Sequence, residues 1–173
     1  LRSKHIDLSG YIGWGWKEPN THIFIKYLAT YFKHIKYIHV IRHGLDMAYS
    51  SNQAQLFNWG RLFGVVSDPS IPLPKALLQY WIRANRQAID LGQQLLDKRF
   101  MLLNFDMFCL NPAYEIEHLL DFLEIDKDSV DVRSLIALPR APKSSGRYKD
   151  HDISIFSDEE LKAVRDLGFE ISS

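Results

Sequence analysis

The chain has 173 residues, with 21 lysines and arginines balanced by 21 aspartates and glutamates, so its formal net charge is zero. That balance gives no overall attraction to nucleic acid or to an anionic membrane, although local clusters can still hold anions. The single cysteine, Cys109, excludes a disulfide framework and a cysteine-based zinc cluster, and a 46% apolar composition supports one packed core over residues 1–173.

Taken in order, the elements alternate between helix and strand. Gly10 to Lys17 is aromatic and glycine-rich, with room for one short strand. Asn20 or Thr21 offers a capping oxygen, and Ile23, Phe24, Tyr27, Leu28, Tyr31 and Phe32 follow at helical spacing. The β-branched and aromatic run Tyr37–Ile41 predicts a strand; after Gly44, Leu45 to Phe57 reads as one helix. Asn58 to Pro74 is proline- and glycine-rich and is expected to be the longest loop. Pro74 suits the first turn of a long helix with an inner face of Leu77, Leu78, Trp81, Ala84, Ala88, Leu91, Leu95 and Leu96.

A nearly continuous apolar run, Phe100 to Phe105, predicts a strand buried on both faces. Asn111-Pro112 opens a helix carried by Ile116, Leu119, Leu120 and Leu123. Ser157 to Glu160 has capping-box spacing with Phe156 and Leu161 as a staple, and Gly168 is placed to end that last helix. Strands separated by helices imply an α/β fold with a parallel sheet, whose ligands bind beyond the carboxyl ends of the strands.

Three segments carry chemistry at such positions. The strand Tyr37–Ile41 runs into Arg42-His43-Gly44, which sets an arginine beside a helix start. Ser50 lies eight residues later, expected about two turns into that helix, where its hydroxyl could share an anion with Arg42. The plainer alternative is an arginine paired with Asp46 and a serine chosen for its size. Lys17, in Trp16-Lys17-Glu18-Pro19, offers a compact positive charge at a second strand-to-helix junction, or else a solvated surface lysine. Arg140 to Lys149 holds Arg140, Lys143, Arg147 and Lys149 with no acid, the composition of a phosphate-gripping loop or of a solvated linker. No His-Glu-x-x-His or comparable cluster points to a metal.

In chain order these segments resemble the sulfotransferase family, which transfers sulfuryl groups from 3′-phosphoadenosine 5′-phosphosulfate. Residues 37–52 resemble its 3′-phosphate-binding strand–turn–helix, with Arg42 and Ser50 in the gripping positions. Lys17-Glu18-Pro19 is similar to the Lys-acid-Pro element of the tyrosylprotein and bacterial branch, where the lysine steadies the leaving oxygen. Leu103 to Pro112 resembles a further family strand and the start of its helix, with Phe105 replacing the tyrosine that approaches the adenine. Ser145-Gly146-Arg147-Tyr148-Lys149 resembles the loop that closes over the nucleotide.

The resemblance implies a P-loop-NTPase-like parallel sheet flanked by helices. It also implies a metal-independent, in-line transfer to a hydroxyl or amine of a small-molecule, carbohydrate or protein acceptor. The family's glycine-rich loop for the 5′-phosphosulfate has no counterpart before Lys17. The chain is therefore expected to be an N-terminally truncated, C-terminal two-thirds of such a domain, with no position matching the general base. Loss of a central strand would leave neighbours unpaired, so a homodimer, strand substitution by Ile6–Trp14, or modest stability is expected. A cytoplasmic protein without nucleic-acid or membrane partners is the accompanying expectation. A non-catalytic nucleotide-binding or scaffold protein, or a fragment of a P-loop-related kinase, is the alternative.

Overall fold

A computed structural model describes residues 13–66 and 68–172. No strand forms among residues 13–17, so the short strand expected over Gly10–Lys17 is absent from its described part, and Ile6 to Ile12 lie outside the described residues. A 3-10 turn, Thr21–Phe24, leads into α1 (Ile25–Tyr31). Asn20 does not cap it. The Glu18 carboxylate instead accepts from the Asn20 backbone N–H at 2.7 Å and from its side-chain amide at 2.8 Å, closing the Lys-Glu-Pro-Asn turn on itself.

Strand β1 (Tyr37–Ile41) follows, then α2 (Gly44–Ala48) and α3 (Ala54–Trp59). The single helix expected over Leu45–Phe57 is thus two. Ser50 Oγ accepts from Asn52 N–H and Asn52 Oδ1 accepts from Ala54 N–H, both at 3.2 Å. These short polar side chains offer the backbone partners that a continuous helix would have supplied itself. The expected loop from Asn58 holds the end of α3 and a 3-10 turn, Gly60–Phe63, and it is fastened from outside. Arg83 donates to the Phe63 carbonyl at 3.1 Å and to the Gly64 carbonyl at 2.6 Å.

The organising element is α4 (Leu73–Leu96), with Pro72 at its cap and Pro74 in its first turn. Its apolar stripe buries Leu77, Leu78, Trp81, Ala84, Ala88 and Leu96. Two close approaches explain two glycines: a β-carbon at Gly44 would lie 2.7 Å from the Trp81 ring, and one at Gly92 would overlap the Phe100 ring. Strand β2 (Phe100–Asn104) pairs in parallel with β1, from Tyr37 opposite Phe100 to Ile41 opposite Asn104. The strand ends one residue earlier than expected because Asn104 caps α5 (Phe105–Leu110), its Oδ1 accepting from Asp106 N–H at 3.0 Å.

The remaining helices are α6 (Pro112–Leu123), α7 (Val132–Ile136) and α8 (Asp158–Asp166). The capping box forms as expected: Glu160 N–H donates to Ser157 Oγ at 3.3 Å, and Ser157 N–H donates to Glu160 Oε2 at 2.9 Å. Lys36 joins the start of β1 to the end of α6 through Glu124 at 3.0 Å and the Phe122 carbonyl at 2.7 Å. The main core lies between β1, α2, α4 and α8, with Leu45, Leu78 and Val164 fully enclosed. The described residues form an α/β architecture: a parallel two-stranded sheet flanked by helices.

Candidate functional site

Parallel pairing in this register brings the carboxyl ends of β1 and β2 to one rim. Extending it by one residue sets Arg42 beside Phe105, and the Arg42 guanidinium lies 5.9 Å from the Phe105 ring centre. An arginine over an aromatic face is held flat while its N–H edge stays available. One edge nitrogen donates to Ser144 Oγ at 3.3 Å. Among the described residues, the buried Nε has no partner and no carboxylate lies within ion-pair distance of this guanidinium.

The alternative pairing of Arg42 with Asp46 is not what forms. Asp46 is 3% exposed, and its carboxylate turns to the basic loop. There it accepts from Gly146 N–H at 2.7 Å and from Tyr148 N–H at 3.2 Å. Gly146 has φ +80°, a left-handed backbone that glycine adopts without strain, and this lets two successive stretches of backbone point at one carboxylate. Arg147 then clamps the loop, donating to the Ser144 carbonyl at 3.3 Å and to the Tyr49 carbonyl at 3.2 Å. Part of its donor capacity is therefore spent on backbone. Ser145 and Lys149 are exposed on the same loop.

Ser50 lies past the end of α2, not two turns into a helix, and among the described residues no hydrogen bond joins it to Arg42. It is half-buried, with its hydroxyl proton left to donate. His43 fixes the turn between β1 and α2. Its backbone N–H donates to Asp106 Oδ2 at 2.9 Å, its Nδ1 accepts from Leu45 N–H, and its Nε2 lies 2.9 Å from the Glu170 carbonyl. The ring stacks on Tyr148 at 4.6 Å between centres.

A cleft of about 1280 Å³ runs along β1 and is lined by Lys17, His22, His39, Arg42, Gln55 and Tyr80 among others. Lys17 is exposed there, so the two sequence-derived cations Lys17 and Arg42 share one cleft, and Arg42 also joins it to the basic loop. His39 is buried, with Nε2 2.9 Å from Asn85 Oδ1, and burial pushes its pKa down to about 4. Burial also lowers the pKa of His22, whose Nδ1 lies 3.0 Å from the Pro19 carbonyl. Among the described residues no group of three or more metal-ligating side chains gathers.

The family model described as the Sulfotransferase family matches residues 4–129. The chain belongs to the sulfotransferase family. The family's general chemistry is the transfer of a sulfuryl group. The match takes in Lys17, Arg42, Ser50 and Phe105 and ends before the basic loop, so Ser145, Gly146, Arg147 and Lys149 rest on geometry and resemblance alone. Comparison with curated proteins and with solved structures gives no match. Among the described residues, no helix of this sulfotransferase-family chain is long and apolar enough to cross a membrane.

Sequence reasoning passed over Asp46 as a positioning residue, together with His43, Asp106 and Ser144. An acidic residue in the first turn of a helix is ordinary, so only the fold reveals that Asp46 and Gly146 meet. His22 and Asn85 likewise acquire meaning only once α1, α4 and β1 are packed around the same cleft.

Proposed function

We propose that this chain binds 3′-phosphoadenosine 5′-phosphosulfate through the Arg42 cluster and acts in sulfuryl transfer to a hydroxyl or amine acceptor. The observation that carries the reading is Arg42 itself: among the described residues its guanidinium has no acidic partner and its buried Nε no acceptor, and it lies over the Phe105 ring. A buried cationic donor left short of an acceptor is unfavourable alone and fits a phosphate. Bound there, the nucleotide would supply the sulfuryl group for in-line transfer. Arg42 and Ser144 would donate to its 3′-phosphate, and Ser50 and Lys149 are the further donors assigned to it by the resemblance. Phe105, as the base of the guanidinium, orients the arginine. Lys17 carries its charge into the same cleft, where it would steady negative charge building on a leaving oxygen.

The test is thermal unfolding with 3′-phosphoadenosine 5′-phosphate. Free ligand at about 100 times Kd stabilises the native state by about 2.7 kcal/mol, a shift of several degrees. The expected result is that shift in the parent chain, a much smaller one in Arg42→Ala, and a weak response to adenosine 5′-phosphate, which lacks the 3′-phosphate. No shift at millimolar nucleotide, or a larger one with ATP, would overturn the proposal.

A further inference from the structure

We infer that the cleft beside β1 takes a saccharide as its acceptor, laid on an aromatic shelf formed by Trp14, Trp16 and Phe32. This rests on the transferase reading above and names its acceptor class. Two independent observations meet in the same cleft. The first is the shelf. Trp14 is 66% and Trp16 46% exposed, yet their rings stack at 5.6 Å with planes 26° apart. Phe32 packs against both at 5.8 Å. All three line the cleft beside Lys17. Tryptophans are seldom left this open in a folded domain, and a contiguous exposed aromatic patch marks a binding surface.

The second observation lies on the other lining residues. Among the described residues, His22 Nε2, Gln55 Oε1 and Tyr80 Oη are sequestered and have no hydrogen-bond partner, and all three residues line this cleft. His22 donates through Nδ1 to the Pro19 carbonyl, which leaves Nε2 as an acceptor. The Gln55 oxygen is an acceptor as well, so the unmet demand is mainly for donors. Sugar hydroxyls supply them, whereas an ionised carboxylate or phosphate has no hydrogen to donate.

A pyranose also presents a face of C–H bonds whose partial positive charge suits the negative face of an aromatic ring. An aryl or alkyl acceptor would match the shelf and leave the polar groups unmet. A saccharide matches both.

The probes are chitotetraose and cellotetraose, with 2-naphthol as the aryl competitor, titrated into the whole chain and followed by tryptophan fluorescence and calorimetry. Saturable binding of at least one tetrasaccharide is expected. It should weaken about tenfold or more in Trp14→Ala/Trp16→Ala, while that variant keeps the nucleotide-induced thermal shift. Tyr80→Phe is the second variant, expected to weaken tetrasaccharide binding about three- to tenfold with the shift unchanged. Binding of 2-naphthol without either tetrasaccharide up to about 10 mM, or equal tetrasaccharide affinity in both variants, would overturn the inference. A chain that responds to the nucleotide but binds no tetrasaccharide sinks the acceptor assignment alone. Absence of the nucleotide shift removes the reading beneath it, and the assignment with it.

Discussion

His39 makes stability depend on pH in a way that can be worked from the structure. Its ring is buried between β1 and α4, held by Asn85, with burial as the main cause of a pKa of about 4 against an ordinary 6.5. Because the folded value lies below the unfolded one, the unfolded chain binds the proton more readily between the two. The contribution is therefore fully present above about pH 6.5 and is lost as pH falls toward about 4. For these values the loss is about 2 kcal/mol by pH 5 and about 3 kcal/mol by pH 4. His22 shifts in the same direction and adds to the slope. His39→Gln removes the titrating ring and keeps an N–H that can reach Asn85. Urea unfolding of both proteins between pH 7 and 4 isolates the His39 share, because His22 and the carboxylates titrate in both. The reasoning predicts a clearly flatter curve for the variant. Equal slopes, or an NMR titration of His39 near 6.5, would refute it.

Other substitutions probe the remaining parts. Asp46→Ala leaves the Gly146 and Tyr148 N–H groups without their acceptor, an expected loss of about 2–3 kcal/mol in urea unfolding. The same change should shrink the nucleotide-induced thermal shift, because the basic loop comes free of α2. Gly92→Ala drives a methyl group into Phe100 and should cost about 1–3 kcal/mol, also read by urea unfolding. Lys17→Ala, at an exposed position, should leave stability within about 0.5 kcal/mol and the nucleotide shift intact. In a sulfuryl-transfer assay it should lower kcat by about a hundredfold with little change in KM.

Much of the framework was legible along the chain because it is local. The strand Tyr37–Ile41, most of the α4 stripe and the Ser157 capping box depend on residues within a few turns of one another and formed where expected, although Leu95, assigned to the inner face of α4, is exposed. The helix break near Ser50 was not read, because serine and asparagine side chains competing for backbone N–H groups do not disturb an apolar pattern. At the site, Arg42 was visible from its place at a strand end. Its setting was not, since Phe105, Ser144 and the Asp46–Gly146 contact depend on segments about 60 to 100 residues apart. The unpartnered polar groups on residues lining the cleft were invisible for the same reason. They matter through what they lack, and a missing partner leaves no pattern in a sequence.

The pairing of Ile41 with Asn104 decides more than strand geometry. Counting one residue onward, it chooses which side chain of the Asn104-Phe105-Asp106 triplet lies beneath the arginine. A slip of β2 in one direction would offer an amide there, and in the other a carboxylate that would neutralise the guanidinium and close it to any incoming anion. The bulky rings of Tyr37 and Phe100, stacked 6.1 Å apart at the far end of the same two strands, resist that slip. An aromatic pair four residues upstream of the rim thus keeps the arginine's charge available.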